Sequence, residues 1–324
     1  MSGRYDGRTA LVTGAQGFIG SWLAERLLDE GARVVALRRD VPALSRFAIE
    51  RLNERCDVVQ ADLADYESLL RTINEYDVSL VFHLAAQTIV GTANRSPLST
   101  FDTNVRGTYT LLEACRATGM ASAIVVASSD KAYGEHDELP YTEGFPLRPR
   151  YPYDVSKACT DLIARCYAYA FELPVAVTRL ANVYGGGDFN FSRIVPDTIR
   201  ALIRGERPVI RSDGTPERDY LYVEDAVNAY LAVADSLGDE RLRGRAWNAG
   251  NGQPIAVKDM VARVIAAAGS DLEPDIRGEG KPEREIDRQW LDSTAIRTEL
   301  GWEPRFDLER GLAATYSWYV EHLR

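Results

Sequence analysis

Thr13-Gly14-Ala15-Gln16-Gly17-Phe18-Ile19-Gly20 decides the fold. It follows the β-rich run TALVTG (9–14) and opens an amphipathic stretch that reads as a helix from about residue 21. Strand, glycine turn and helix in that order are the context of a dinucleotide-binding loop. Glycine lets the backbone turn tightly and approach a pyrophosphate, and the first turn of the helix offers free N–H groups and the positive end of its dipole. The spacing is G-x-x-G-x-x-G, not the G-x-G-x-x-G of the simplest dehydrogenases. Three glycines in a tight turn without a ligand are the structural alternative.

Outward from the loop, short apolar runs alternate with helical periodicity. ARVVAL (32–37), DVVQAD (57–62), VSLVFHLA (78–85) and SAIVVASS (122–129) read as strands, and YESLLRTINEY (66–76) and FDTNVRGTYTLLEACRATG (101–119) as crossover helices. This βαβ rhythm predicts a doubly wound parallel sheet over residues 1–180. After VAVTRLANVYGGGD (175–188) the rhythm breaks into Gly, Pro and Asp clusters with short helices near PDTIRALIRG (196–205) and VKDMVARVIAAAG (257–269). Residues 181–324 therefore read as mainly a smaller α/β substrate-binding domain, with segments near 209–249 returning to the first. No flexible Gly/Ser tether separates the halves, so the site is expected between them.

The cofactor follows from the same loop. The end of the second strand separates NAD from NADP, because a carboxylate bonds the ribose 2′-OH and an arginine accepts a 2′-phosphate. Arg38 and Arg39 suit the phosphate and Asp40 suits the ribose; NAD is expected, with NADP left open. Asp62 reads either as a cap on the adenine amino group, with Leu63 beside it, or as a helix N-cap.

The 324 residues carry 38 Lys plus Arg against 48 Asp plus Glu, a net charge of −10. Such an acidic chain does not grip nucleic acid or anionic lipid broadly, so an anionic ligand must meet a local cationic pocket. No run of about 18 apolar residues suggests a membrane span, and the N-terminal stretch does not read as a signal peptide, so the cytoplasm is the expected location. Cys56, Cys115, Cys159 and Cys166 lack C-x-x-C spacing and read as free buried thiols; no metal site is expected.

Tyr153 and Lys157 stand four residues apart, on one face of a helix. A nearby ammonium stabilises a tyrosinate, making the phenol a usable proton acceptor for an alcohol that loses hydride. Ser128-Ser129-Asp130 closes a strand upstream, where a hydroxyl can help to hold that alcohol. His83, inside the apolar run VFHLAA, reads as a satisfied core histidine.

With these elements in place the chain resembles the extended short-chain dehydrogenase/reductases that act on nucleotide sugars. The likeness runs through TGAQGFIG (13–20), HLAAQ (83–87), TNVRGT (103–108), SSDKAYG (128–134), YDVSK (153–157), RLANVYGGGD (179–188), ERDYLYVEDAV (217–227) and WNAGNG (247–252). It implies a Rossmann-type sheet, with Ser129, Tyr153 and Lys157 as the catalytic trio. Gln16, Phe18, Leu84, Ala85, Ala86 and Gln87 would line the dinucleotide, Gln87 reaching substrate as well. Asn104 would hold the meeting of crossover helix and site, or be a buried amide tying two helices together. Asn182, Arg193, Arg218 and Arg288 would engage the sugar nucleotide through diphosphate or sugar, with 209–211, including Arg211, flanking the base. Arginine forks suit phosphate oxygens. The helices around 102–116 and 153–171 would pair across a two-fold axis, giving a homodimer.

The residues after Ser129 separate the reactions of this family. A 4-epimerase needs only to oxidise the sugar at C4 and return hydride. A 4,6-dehydratase must also remove the C5 proton and expel the C6 hydroxyl, for which Asp130-Lys131 supplies an acid and a base. S-D-K-x-Y, HLAAQ and GGGDFNFSRIVPD (185–197) look most like CDP-glucose 4,6-dehydratases, whereas ERDYLYVEDAV follows the general epimerase and dehydratase pattern. The expected activity is a nucleotide-sugar 4,6-dehydratase, CDP-glucose favoured; the alternatives are a 4-epimerase and a cofactor-binding protein without turnover.

Overall fold

The computed structural model describes residues 3–280 and 286–323. In chain order its strands are β1 (Thr9–Thr13), β2 (Arg33–Arg38), β3 (Asp57–Gln60), β4 (Leu80–His83), β5 (Ala123–Ala127), β6 (Val175–Leu180), β7 (Asn182–Tyr184), β8 (Val209–Ile210), β9 (Glu217–Tyr222), β10 (Ala246–Ala249), β11 (Pro254–Ala256), β12 (Asp275–Ile276) and β13 (Arg288–Gln289). Seven of them form one parallel sheet in the order β10-β6-β5-β4-β1-β2-β3. The chain starts at β1, winds outward to β3, then returns to β4 and winds the other way. The carboxyl ends of β1 and β4 thus meet where the order reverses, the place where open α/β sheets bind ligands.

The sheet is apolar on both faces because helices cover both. Ala10 and Val12 of β1 and Val125 of β5 enter one core, while Leu11, Ile124 and Val126 enter the other. The helix Phe18–Asp29 begins three residues earlier than its periodicity suggested, because Gly17 and the backbone turn before it set the N-terminus without a capping side chain. The helix Tyr66–Glu75 is capped by Asp65, which accepts from the Ser68 N–H at 3.2 Å. That removes the N-cap reading of Asp62, whose Oδ1 instead accepts from the Ala64 N–H at 2.8 Å. Between the helices Pro97–Phe101 and Gly107–Thr118 the backbone widens into a π turn over Asp102–Arg106.

Beyond β6 the chain builds a smaller sheet around β9, which pairs with β7, β11 and β13. A two-stranded piece, β8 with β12, stands apart. The helix Val223–Ser236 and β10 then return to the large sheet. All four cysteines are free, but only Cys115 is buried; Cys166 is exposed. The helix Pro152–Phe171 carries apolar residues around more than one face, so periodicity there did not distinguish inside from outside.

Candidate active site

Each glycine of the first loop answers a different steric demand. Gly14 has φ +74°, and a Cβ there would come within 2.7 Å of the Ala85 backbone nitrogen. A Cβ on Gly20 would overlap the carbonyl oxygen of Gly14. The loop closes through Gly17 N–H donating to Gly14 O at 2.9 Å, and no side chain caps the helix that follows. A close-packed glycine cradle before an uncapped helix N-terminus fits a dinucleotide pyrophosphate. Phe18 and Ile19 open that helix, and Gln16 stands just ahead of it.

Leu84, Ala85, Ala86 and Gln87 follow β4 and are partly exposed. The Ala85 N–H donates to Thr13 Oγ1 at 3.2 Å, tying this wall to the first loop. Across the sheet Arg38 donates to Gln60 Oε1 at 3.1 Å, and Asp40 is paired with Arg39 at 2.6 Å on an exposed corner. Leu63 is buried against Gly107.

Asn104 is spent on structure. Its Oδ1 accepts from the Gln87 N–H at 2.7 Å, and its Nδ2 donates to Gln87 O at 3.2 Å and to Ser156 Oγ at 2.8 Å. The amide therefore holds the β4 wall to the helix Pro152–Phe171. His83 is equally occupied, Nδ1 with Thr13 Oγ1 at 2.8 Å and Nε2 with Thr108 Oγ1 at 3.0 Å. Burial, then the charge of Lys157, pushes its pKa down to about 3, so it stays neutral.

At the end of β5 the backbone turns through Ser129. The Ser129 hydroxyl donates to Asp130 Oδ1 at 2.9 Å and accepts from the Lys131 N–H at 3.2 Å. Asp130 is 2% exposed, and its second oxygen, Oδ2, has no hydrogen-bond partner among the described residues. Burial raises its pKa against the pull of Lys131, Ser129 and Arg218, favouring a carboxyl that keeps its proton. Tyr153 lies beside this turn: burial pushes its phenol up to about 12, and Arg193 and the Ser129 hydroxyl pull the other way. Lys157 donates to Ala127 O at 2.7 Å, and burial brings its ammonium down to about 8. The cluster thus brings together a phenol and a carboxyl whose pKa values burial raises and a buried lysine whose pKa burial lowers.

The arginines expected to clamp a sugar nucleotide differ among themselves. Arg218 is 8% exposed on β9 and donates to Glu217 O and Asp287 O, both at 2.9 Å. Arg193 pairs with Asp188 at 3.0 Å and also sits near enough to Tyr153 for each to shift the other. Arg211 and Arg288 are exposed and paired with Asp197 at 3.1 Å and Glu217 at 2.7 Å. Asn182 donates to Asp219 O at 3.4 Å, which places it on the smaller sheet beside β9.

Two groups carried no signal in the sequence. Gln289 is fully buried and its Oε1 accepts from Lys131 Nζ at 3.3 Å. Asp219 accepts from the N–H groups of Asn251 and Gly252 at 3.1 and 3.0 Å, and burial pushes its pKa up to about 7. Among the described residues no cluster of His, Cys, Asp and Glu could hold a metal, and no helix is long and apolar enough to cross a membrane.

A doubly wound sheet with this glycine loop and a Ser-Tyr-Lys cluster at its switch point defines the class: an extended short-chain dehydrogenase/reductase. The sequence profile of the GDP-mannose 4,6 dehydratase family matches residues 11–315, and the chain belongs to that family. It is 32% identical to a CDP-glucose 4,6-dehydratase of Salmonella typhimurium, over 99% of this chain and 92% of the relative. It is 36% identical to a dTDP-glucose 4,6-dehydratase of Streptomyces griseus, over 96% and 94%. Among solved structures, a UDP-glucose 4-epimerase of Thermotoga maritima with UDP-glucose superposes with a TM-score of 0.88 at 29% identity, covering 98% of this chain and 100% of that one. A dTDP-glucose 4,6-dehydratase of Streptomyces venezuelae with NAD and TYD bound gives 0.87 at 30% identity, covering 97% of each.

Proposed function

We propose that this protein is an NAD-dependent nucleotide-sugar 4,6-dehydratase that converts CDP-glucose to the 4-keto-6-deoxy sugar nucleotide. The observation that carries the reading is Asp130: a buried carboxyl beside Ser129 with Oδ2 unpartnered among the described residues and its pKa raised. A 4-epimerase has no use for such an acid, whereas expulsion of a hydroxyl requires one. The preference for the cytidine nucleotide rests on the Asp130-Lys131 pair and on the likeness to the Salmonella relative.

Bound NAD supplies the acceptor and donor of hydride. It would be held by the loop at 13–20, the wall from Leu84 to Gln87, and Lys157 at its nicotinamide ribose. Tyr153 takes the C4 hydroxyl proton, with Ser129 steadying that oxygen. Lys157 is held by the Ala127 carbonyl four residues along the helix from the phenol, and Arg193 and the Ser129 hydroxyl oppose the burial that raises the phenol's pKa. The 4-ketone acidifies the C5 proton. Lys131 abstracts that proton when neutral, or steadies the enolate as an ammonium. Asp130 gives its proton to the departing C6 oxygen, which leaves as water; the hydride taken from C4 would then return to C6 and a proton to C5, giving the 4-keto-6-deoxy sugar. Arg218, Arg193, Arg288 and Asn182 hold the sugar nucleotide, with Arg211 towards the base. Exposed Tyr109, Leu162 and Tyr169 on the helices Gly107–Thr118 and Pro152–Phe171 support a homodimer through that face.

Mass spectrometry on CDP-, dTDP-, UDP- and GDP-glucose tests this. The expected result is loss of water, fastest from CDP-glucose, with deuterium at C5 when the reaction runs in heavy water. Inversion at C4 without loss of water and without C5 deuterium would replace dehydration by epimerisation. Faster turnover of another nucleotide would move the base assignment alone.

A further inference from the structure

Lys131 is held from the other end of the chain. Its Nζ donates to Gln289 Oε1 at 3.3 Å, 158 residues away. Gln289 is fully buried on β13, register partner of Arg218 on β9. Its Nε2 has no hydrogen-bond partner among the described residues. A buried donor left unpaired costs about 1–3 kcal/mol, so an apolar side chain would serve the fold better there. The other orphan of this region is Asp130 Oδ2. Lys131 is the chain neighbour of one orphan and the hydrogen-bond partner of the other, and the charge of Arg218 reaches Asp130. The turn after β5 and the strand β13 therefore meet at Lys131 Nζ, and β9 reaches the neighbouring Asp130 through the charge of Arg218.

We infer that Gln289 is the positioning residue for Lys131 in the C5 deprotonation step, an inference that rests on the dehydratase reading above. The chemistry of the amide makes the choice specific. Its carbonyl accepts an N–H from the ammonium and from the neutral amine alike, so it fixes Nζ in place through both states of the proton cycle. A carboxylate would fix the ammonium too, yet would hold its proton and raise its pKa. A neutral acceptor thus positions a lysine without disabling it as a base. Among the described residues the other titratable groups around the turn include Asp130 on the turn itself, Tyr153 on the helix Pro152–Phe171, Tyr141, and Arg218 and Asp219 on β9. Because β13 also carries Arg288, engagement of the nucleotide and alignment of the base share one strand.

The test uses the NAD-loaded enzyme, CDP-glucose, and the variants Gln289→Leu and Gln289→Glu, with near-ultraviolet circular dichroism and retained NAD verifying the fold. Gln289→Leu is expected to lower kcat about 100-fold, the order of loss for a misplaced catalytic group. KM should change little, and C4 oxidation should persist, so that reduced-nicotinamide absorbance builds up in a single turnover. Gln289→Glu keeps the acceptor but adds charge. It should move the rising limb of the kcat–pH profile upward by about 1–3 units and recover turnover at the high-pH end. Wild-type-like turnover in Gln289→Leu, a loss confined to KM, or an unmoved pH profile in Gln289→Glu would overturn the inference. Failure of the dehydratase reading shows separately, as C4 inversion without water loss in the unmutated enzyme, and removes the inference with it.

Discussion

The two ends of the site recognise charge in opposite ways. The loop at 13–20 presents backbone: a close-packed glycine cradle and an uncapped helix, rigid before any ligand arrives. The second half presents side chains, and most are already engaged, Arg193 with Asp188, Arg211 with Asp197 and Arg288 with Glu217. A preformed backbone site needs little ordering when it binds. Arginines paired with carboxylates must exchange one anion for another, which trades affinity for selectivity and easy release. The contrast suits a cofactor that stays through turnover and a sugar nucleotide that comes and goes.

Gly20→Ala should break the first half of that comparison. Its Cβ would overlap the Gly14 carbonyl oxygen, part of the backbone that forms the cradle. Overpacking of this kind costs about 1–3 kcal/mol, and if the strain falls on the bound geometry it weakens NAD binding by about 5- to 150-fold. Fluorescence titration with NAD reads the change directly. Unaltered affinity would mean that the loop yields and is not preformed.

Arg218→Ala probes the second half where it most resembles the first. Arg218 is buried and held by two backbone carbonyls, so the position of this proposed clamp residue is set in advance. Removing a buried charged partner costs about 2–5 kcal/mol, and KM for the nucleotide sugar should rise by at least about 30-fold. Binding of NAD should stay unchanged. A loss of NAD affinity instead would show that the two sites are one.

The same contrast governs what was legible in the sequence. Glycines forced by backbone geometry, and strands forced by burial on two faces, leave marks at fixed spacing, so the sheet and the cofactor loop could be read directly. Ser129, Asp130, Lys131, Tyr153 and Lys157 were visible through spacing and family likeness, and the structure brings them to one corner. Of the two readings of Asp62 the N-cap fell away because Asp65, three residues on, carries the same side chain and accepts from the first turn of the helix, while Asp62 accepts from the Ala64 N–H. The π turn at Asp102–Arg106 has no compositional marker, so an Asn104 that ties the wall after β4 to the helix Pro152–Phe171 could not be told in the sequence from one that faces the site. Gln289 was invisible because its meaning lies in one contact across 158 residues, made by β13 lying beside β9.

Arg288→Ala should have the smallest effect, and it sharpens the comparison most. Its side chain is 57% exposed, and the guanidinium rests 5.1 Å from the centre of the Trp290 ring and is paired with Glu217. An exposed pair is worth about 0–1 kcal/mol, so KM should rise by no more than about fivefold. Glu217→Gln should act in the opposite sense: with the competing carboxylate neutralised, the guanidinium is left to the diphosphate and KM should fall. That pair of signs is what anion exchange demands. A KM that rises in both variants would show that Glu217 holds Arg288 in its binding position, and that this arginine belongs with the preformed half of the site.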